Sequence, residues 1–152
     1  MGLSIASGLC LANKKLGNKK KTYVIIGDGE CGEGSIWEAA LTTAHYRLDN
    51  LIVFLDKNGY QQTGKTKDIL LNENFIEKWK SFGWNVTEID GHSFNQIDIS
   101  IKNILKDKPN MIISKTIKGK GISFIESNNA WHHSVLTKTN YEDALTELND
   151  EN

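Results

Sequence analysis

Excess charge of either sign is missing from this sequence: 18 Lys and Arg stand against 19 Asp and Glu, a formal net charge of −1 over 152 residues. That balance removes the electrostatic case for a nucleic acid or an anionic membrane as partner. Cysteine is scarce as well. The two present, Cys10 and Cys31, are too few for a disulfide framework and follow no zinc-binding spacing, so a reducing cytoplasm is the plain expectation and neither thiol needs a function. No apolar run reaches the length of a membrane span. Lysines follow rather than precede the apolar part of the N-terminus, the reverse of a signal peptide. Internal repeats and long low-complexity linkers are also lacking, and the length fits a single domain, 1–152, with a real core.

What is present is organised around Thr22 to Asn58. Tyr23 to Ile26 and Leu51 to Leu55 are short apolar runs with the β-branched content of buried strands, the first ended by Gly27-Asp28-Gly29 and the second by Asp56-Lys57-Asn58. Between them Ile36, Ala39, Ala40, Thr43, Ala44 and Leu48 recur at helical spacing. A βαβ crossover is right-handed and makes its strands parallel, so both C-terminal ends lie on the edge where open α/β sheets hold ligands. Asp28 and Asn58 leave those ends and can converge. One offers an anionic and the other a neutral hard oxygen, and the glycines beside Asp28 leave room for a bulky anion, which suits Mg²⁺ or Ca²⁺ held against a diphosphate.

These residues resemble a known family. Gly27-Asp28-Gly29-Glu30, a spacer, then Asn58-Gly59 looks like the thiamine diphosphate motif, and Glu33 to Ala40 (EGSIWEAA) with Asp56 to Gly64 (DKNGYQQTG) is similar to transketolase. The resemblance implies a mostly parallel open sheet flanked by helices, the α/β diphosphate-binding domain of that family lacking its front part. It implies cofactor contacts from Gly27, Asp28, Gly29, Glu30, Asn58 and His132. The metal would be held by Asp28, Asn58 and the backbone carbonyl of Tyr60. A glutamate at the position of Glu33 lies at the family's subunit contact. A glycine-rich turn and histidines that precede the Gly2-Leu3-Ser4 stretch in the family, its pyrimidine-binding domain and its C-terminal domain are not represented, so a natural start at Met1 and a truncation both remain open.

Elsewhere the pattern continues as βα units. Residues 2–17 read as a buried helix with a Gly17 cap, and the lysines around it, Lys14 to Lys21, as a solvated end. Trp37, His45 and Tyr46 are expected at core or surface positions of the crossover helix. Gly59 to Thr66 satisfies the phosphate-loop pattern G-x-x-x-x-G-K-[ST] after a strand, but its interior, Tyr-Gln-Gln-Thr, is bulky for a backbone cradle, and 67–72 is a weak helix start. Phe75 to Phe82 has helical spacing and stops at Gly83. A strand over 84–89, a helix capped by Ser93 and ended before Pro109, and an apolar strand over 111–116 follow. His92 in the Asp90-Gly91-His92 turn reads as a turn stabiliser.

Lys118-Gly119-Lys120-Gly121 then falls on the same sheet edge and could meet phosphate, although a flexible solvent loop explains it equally. Glu126 to Leu136 (ESNNAWHHSVL) is similar to the family segment in which Trp-His-Gly presents a histidine to cofactor and substrate. His132 matches that histidine and is the catalytic candidate, while His133 stands where the family has glycine. A short amphipathic helix, 141–148, closes the chain. The expected activity is transfer of a two-carbon ketol unit between sugar phosphates, by an oligomer in which another subunit or domain supplies the pyrimidine-binding half. Without that half the chain should be inactive. A phosphate-loop nucleotide hydrolase and a non-catalytic remnant are the alternatives.

Overall fold

A computed structural model describes residues 1–70 and 74–150. Helix α1 (Gly2–Lys15) leads to strand β1 (Thr22–Gly27), a single 3₁₀ turn (Gly29–Gly32), α2 (Gly34–His45) and β2 (Leu51–Lys57). A two-strand hairpin follows, β3 (Tyr60–Gln61) and β4 (Gly64–Lys65), then α3 (Thr66–Ile69), α4 (Phe75–Ser81), β5 (Asn85–Asp90), α5 (Phe94–Lys102) and β6 (Asn110–Lys115). A second 3₁₀ turn (Asn129–His132) precedes α6 (Lys138–Asp150). Part of the weak helix start over 67–72 is α3; Leu71 and Asn72 lie outside the described residues.

The four long strands form one parallel sheet in the order β1-β2-β6-β5. Chain order would put β6 last, yet it lies between β2 and β5 and is the most deeply enclosed, five of its six residues being buried. Side chains alternate between faces along a strand. Val53 and Leu55 of β2 and Met111 and Ile113 of β6 therefore meet Leu3, Ala6, Ile36, Ala40 and Trp79 on one face, where α1, α2 and α4 lie. Ile52 and Ile112 meet Ile89, Ile97 and Ile104 on the other, beneath α5. Strands covered on both faces read as unbroken apolar runs, which is why LIVFL and MII stand out in the sequence.

Two expectations about burial change. The apolar run of β1 predicts a buried strand, but β1 is an edge strand: Ile26 packs inward, while Tyr23 and Ile25 remain 50% and 75% exposed. The cause is topological, because α5 covers the β5 and β6 end of that face and leaves the β1 end open. Helix α1, also expected to be buried, instead covers a stripe. Leu3, Ala6, Ser7 and Cys10 point inward at helical spacing, while Ile5 and Leu9 stay 63% and 54% exposed. Its end is as read, with Gly17 at φ +70° just past the last turn. Ser93 caps α5 through the Gln96 amide at 3.3 Å.

An aromatic cluster fixes α4 against α2. Trp79 is fully buried, with ring centroids 5.1 Å from Trp37 and 4.9 Å from Trp84. Tyr46 and His45 lie toward the surface of α2, in line with a surface role. The Trp79 indole nitrogen has no hydrogen-bond partner among the described residues, so its contribution is packing. Trp79→Ala should therefore cost about 3–5 kcal/mol in urea unfolding, whereas Trp79→Phe, which keeps most of the ring volume and strands no polar partner, should cost about 1–2 kcal/mol.

Candidate functional site

The parallel register sets Gly27 beside Asp56, and Asp56 beside Ser114, so the three strands β1, β2 and β6 end on one edge. Asp28 is the first residue beyond β1, and its backbone N–H donates to the Asp56 carbonyl at 3.1 Å, extending the ladder by one rung. That bond turns the Asp28 side chain toward the segment leaving β2. Its Oδ2 accepts from the Gly59 backbone N–H at 2.8 Å. Its Oδ1 is buried and has no hydrogen-bond partner among the described residues.

Asn58 is equally constrained. Its amide nitrogen donates to Asp56 Oδ2 at 2.8 Å, and its Oδ1 accepts from the Tyr60 N–H at 2.9 Å. Asp28, Asn58, Gly59 and Tyr60 all line a cleft of about 550 Å³ that Lys57 and Thr66 also border. The two strand-end side chains meet at this cleft, joined through one tight turn whose Gly59 takes φ +79°. A buried polar atom left without a partner costs free energy, and burial raises the Asp28 carboxyl above its ordinary value, with the Asp56 charge adding to the rise. The Gly59 bond acts the other way, as do the nearby Gly29 N–H and Thr66 hydroxyl, neither of which makes a hydrogen bond to Oδ1. A divalent cation would remove the penalty. Among the described residues no group of three or more His, Cys, Asp and Glu side chains is placed to hold a metal. The donors that do fit are one carboxylate, one amide oxygen and, through the Tyr60 backbone, a carbonyl, all hard oxygens suited to Mg²⁺ or Ca²⁺.

The remaining candidates surround a second cleft of about 590 Å³, which shares Asn58 and Tyr60 with the first and is lined also by Gly27, Gly29, Glu30 and His132. Glu30 donates nothing; its Oε2 accepts from the Gly27 N–H at 2.7 Å and so fixes the glycine turn. Gly29 has a packing reason to be glycine, since a Cβ there would sit 2.6 Å from the Gln61 Cβ. Glu33 is exposed beside the first turn of α2, and the same cleft reaches it. His132 ends a 3₁₀ turn that Asn129 ties to the hairpin, its amide meeting Gln61 O at 2.9 Å and Gly64 N at 3.1 Å in the orientation that satisfies both. His133 takes φ −132°, so the residue in place of the family's glycine needs no left-handed backbone. Partial desolvation first, then Lys118 and His133, holds the His132 imidazole below its ordinary value.

Lys118 lines this cleft, which gives the glycine-lysine loop a place at the site. Gly119 in that loop takes φ +73°, and a Cβ there would meet Ile125 Cγ2. The loop is held by Glu126, which accepts from the Lys120 ammonium at 3.2 Å and from Gly121 N–H at 3.0 Å. The His92 imidazole, expected to stabilise its own turn, instead ties that turn to the segment after β6, its Nε2 accepting from the Ile117 N–H at 2.8 Å. The phosphate-loop alternative loses its cradle. Gly59 to Thr66 forms the β3–β4 hairpin, with the Gly59 and Tyr60 N–H groups committed to Asp28 and Asn58, and it leads into a helix of four residues. Sequence reasoning passed over Asp56 and Thr116, whose hydroxyl donates to Asp56 Oδ1. The signal for Asp56 was its place two residues before Asn58, on the same side of the strand.

Residues 2–149 match the family model described as "Transketolase, thiamine diphosphate binding domain". The chain belongs to the transketolase family. Its relatives include one subunit of the apulose-4-phosphate transketolase of Actinobacillus succinogenes, 50% identical over 99% of this chain and 55% of that protein. A 6-deoxy-6-sulfo-D-fructose transketolase subunit of a Clostridium species is 43% identical, again over 99% and 55%. The crystal structure of transketolase from Campylobacter jejuni superposes with a TM-score of 0.89 at 28% identity, covering 97% of this chain and 24% of that one. The chain thus spans about half the length of these two single-subunit relatives. Among the described residues no helix of this transketolase-family chain is long and apolar enough to cross a membrane.

A carboxyl whose folded value is raised keeps its proton longer in the folded than in the unfolded chain, so metal-free stability falls as pH rises from the ordinary carboxylate value through the raised one. Asp28→Asn should therefore stabilise the metal-free protein at pH 7 by about 1–2 kcal/mol, and the gain should vanish below the ordinary carboxylate range. Thermal melts taken below that range and at neutral pH read both.

Proposed function

We propose that this chain is the partial, diphosphate- and metal-binding domain of a transketolase that moves a two-carbon ketol unit between sugar phosphates in the cytoplasm. Its cofactors are thiamine diphosphate and Mg²⁺, with Ca²⁺ an acceptable substitute, and it works in an oligomer whose pyrimidine-binding half comes from another subunit or domain. The observation that carries the reading is the buried Oδ1 of Asp28, without a partner among the described residues, on a carboxylate that Gly59 holds beside Asn58 at the edge where three parallel strands end. Relatives named as individual transketolase subunits support division of the enzyme between chains.

When bound, thiamine diphosphate supplies the electron sink that lets a ketose lose its ketol unit. This chain's residues bind and orient. Asp28, Asn58 and the Tyr60 carbonyl hold the cation and through it the diphosphate, the positioning part of catalysis. Gly27, Gly29 and Glu30 shape the turn that receives the cofactor. His132, whose imidazole desolvation and the Lys118 charge hold below its ordinary value, would accept or return a proton at the reacting substrate oxygen. Glu33, exposed at the rim, faces the neighbouring subunit.

Calorimetry with thiamine diphosphate should show binding that requires Mg²⁺ and is lost in Asp28→Ala, with a partner carrying the pyrimidine-binding half present where binding needs it. ATP binding abolished by Lys65→Ala would instead revive the nucleotide hydrolase, and no binding of either ligand with the partner present would mark a non-catalytic remnant. Turnover should appear with the partner and be absent from this chain alone. In that complex His132→Ala should lower kcat by roughly 10²–10⁴-fold, a larger factor than its loss of calorimetric affinity for thiamine diphosphate.

A further inference from the structure

Asp56 is bonded through both side-chain oxygens. Its Oδ2 accepts from Asn58 Nδ2 at 2.8 Å, and its Oδ1 accepts from the Thr116 hydroxyl of the segment after β6. An ionised carboxylate can only accept, and a primary amide has a donating and an accepting end of nearly the same shape. Asp56 can therefore be met by the NH₂ end of Asn58 alone, which sends the amide oxygen the other way, toward the Tyr60 N–H at 2.9 Å. That oxygen has two lone pairs. Tyr60 uses one.

We propose that Asp56 is a positioning residue: an acceptor-only clamp that decides which end of the Asn58 amide faces the cleft, and so makes Asn58 an oxygen ligand instead of an N–H donor toward a divalent cation. This rests on the reading of the cleft as a cation and diphosphate site. Asp56 stands apart from the ligand set: Asp28 and Asn58 line the first cleft, whereas Asp56 lines the second and holds Asn58 and Thr116 with its two oxygens. Thr116, the residue just past β6, anchors the clamp, and through it the end of that strand steadies a group on β2. A carboxylate at this place could also serve only to tie β2 to β6. The two roles differ in what happens when the amide can turn over. Asp56→Asn preserves size but presents its own amide, which can donate or accept, so the orientation of Asn58 is no longer dictated.

The test uses Mn²⁺ as probe, with thiamine diphosphate and the partner subunit present, reading free Mn²⁺ by electron paramagnetic resonance rather than turnover. Asp56→Asn should weaken Mn²⁺ binding by roughly 10–100-fold, the range for groups that orient a metal ligand. In an Asn58→Ala background the same change should cost nothing further, since the clamp acts through Asn58. The exchange Asp56→Asn with Asn58→Asp reverses donor and acceptor, keeps the pair's charge and hydrogen bond, and should restore most of the affinity. The exchange also keeps the inference testable should the single variant not fold. Undiminished binding in Asp56→Asn, an equal loss with and without Asn58, or failure of the folded exchange variant to recover would each overturn the clamp. A wild-type complex that takes up no Mn²⁺ would overturn the cation reading itself, a result distinguishable from these because it precedes any substitution.

Discussion

One buried carboxylate organises the working edge of this molecule. Asp28 sits where β1 ends, donates a ladder bond to the Asp56 carbonyl of β2, and accepts the Gly59 N–H with one oxygen while the other has no partner among the described residues. Desolvating a charge without a partner is unfavourable, and folded proteins rarely tolerate it except where a ligand completes the set. The sheet provides the restraint that makes this possible. Three parallel strands, filled on one face by Trp79 and its neighbours, set Gly27, Asp56 and Ser114 level with one another, so that Asp28 and Thr116, just beyond the ends of their strands, both bond to Asp56.

Around that point the backbone and side chains divide the work. The N–H groups of Gly59 and Tyr60 fix one oxygen each of Asp28 and Asn58, and the hairpin they begin packs against Gly29 closely enough to exclude a Cβ. The turn bearing His132 is in turn pinned to that hairpin by Asn129. The oxygen set and the imidazole thus stand on one connected scaffold, although they come from segments far apart in the chain. Beside them the Cys31 thiol is pushed up to about 12 by burial and by the Asp28 and Glu30 charges, which disfavours its thiolate.

Much of this was legible in order along the chain. The apolar runs of β2 and β6 announced strands, Gly17 and Gly83 announced helix ends, Ser93 announced a cap, and the right-handed crossover rule alone put Asp28 and Asn58 on one edge. The misreadings share a cause. Tyr23 to Ile26 and the first helix are apolar enough for full burial, but burial depends on what lies opposite, and no local pattern states that an edge strand has one open face. The phosphate-loop pattern over Gly59 to Thr66 failed for a related reason. Its N–H groups were already claimed by side chains from the ends of β1 and β2.

By itself the sequence determined element types, the parallel edge and the residue types gathered there, because periodicity, glycine placement and crossover handedness are local or nearly so. Only the tertiary structure decided that β6 enters between β2 and β5, that Asp56 orients Asn58 with Thr116 behind it, and that His132 shares a cleft with them. Those facts depend on contacts between segments widely separated along the chain, and hydrogen-bond partners at that separation are set by packing, which no short stretch of residues encodes.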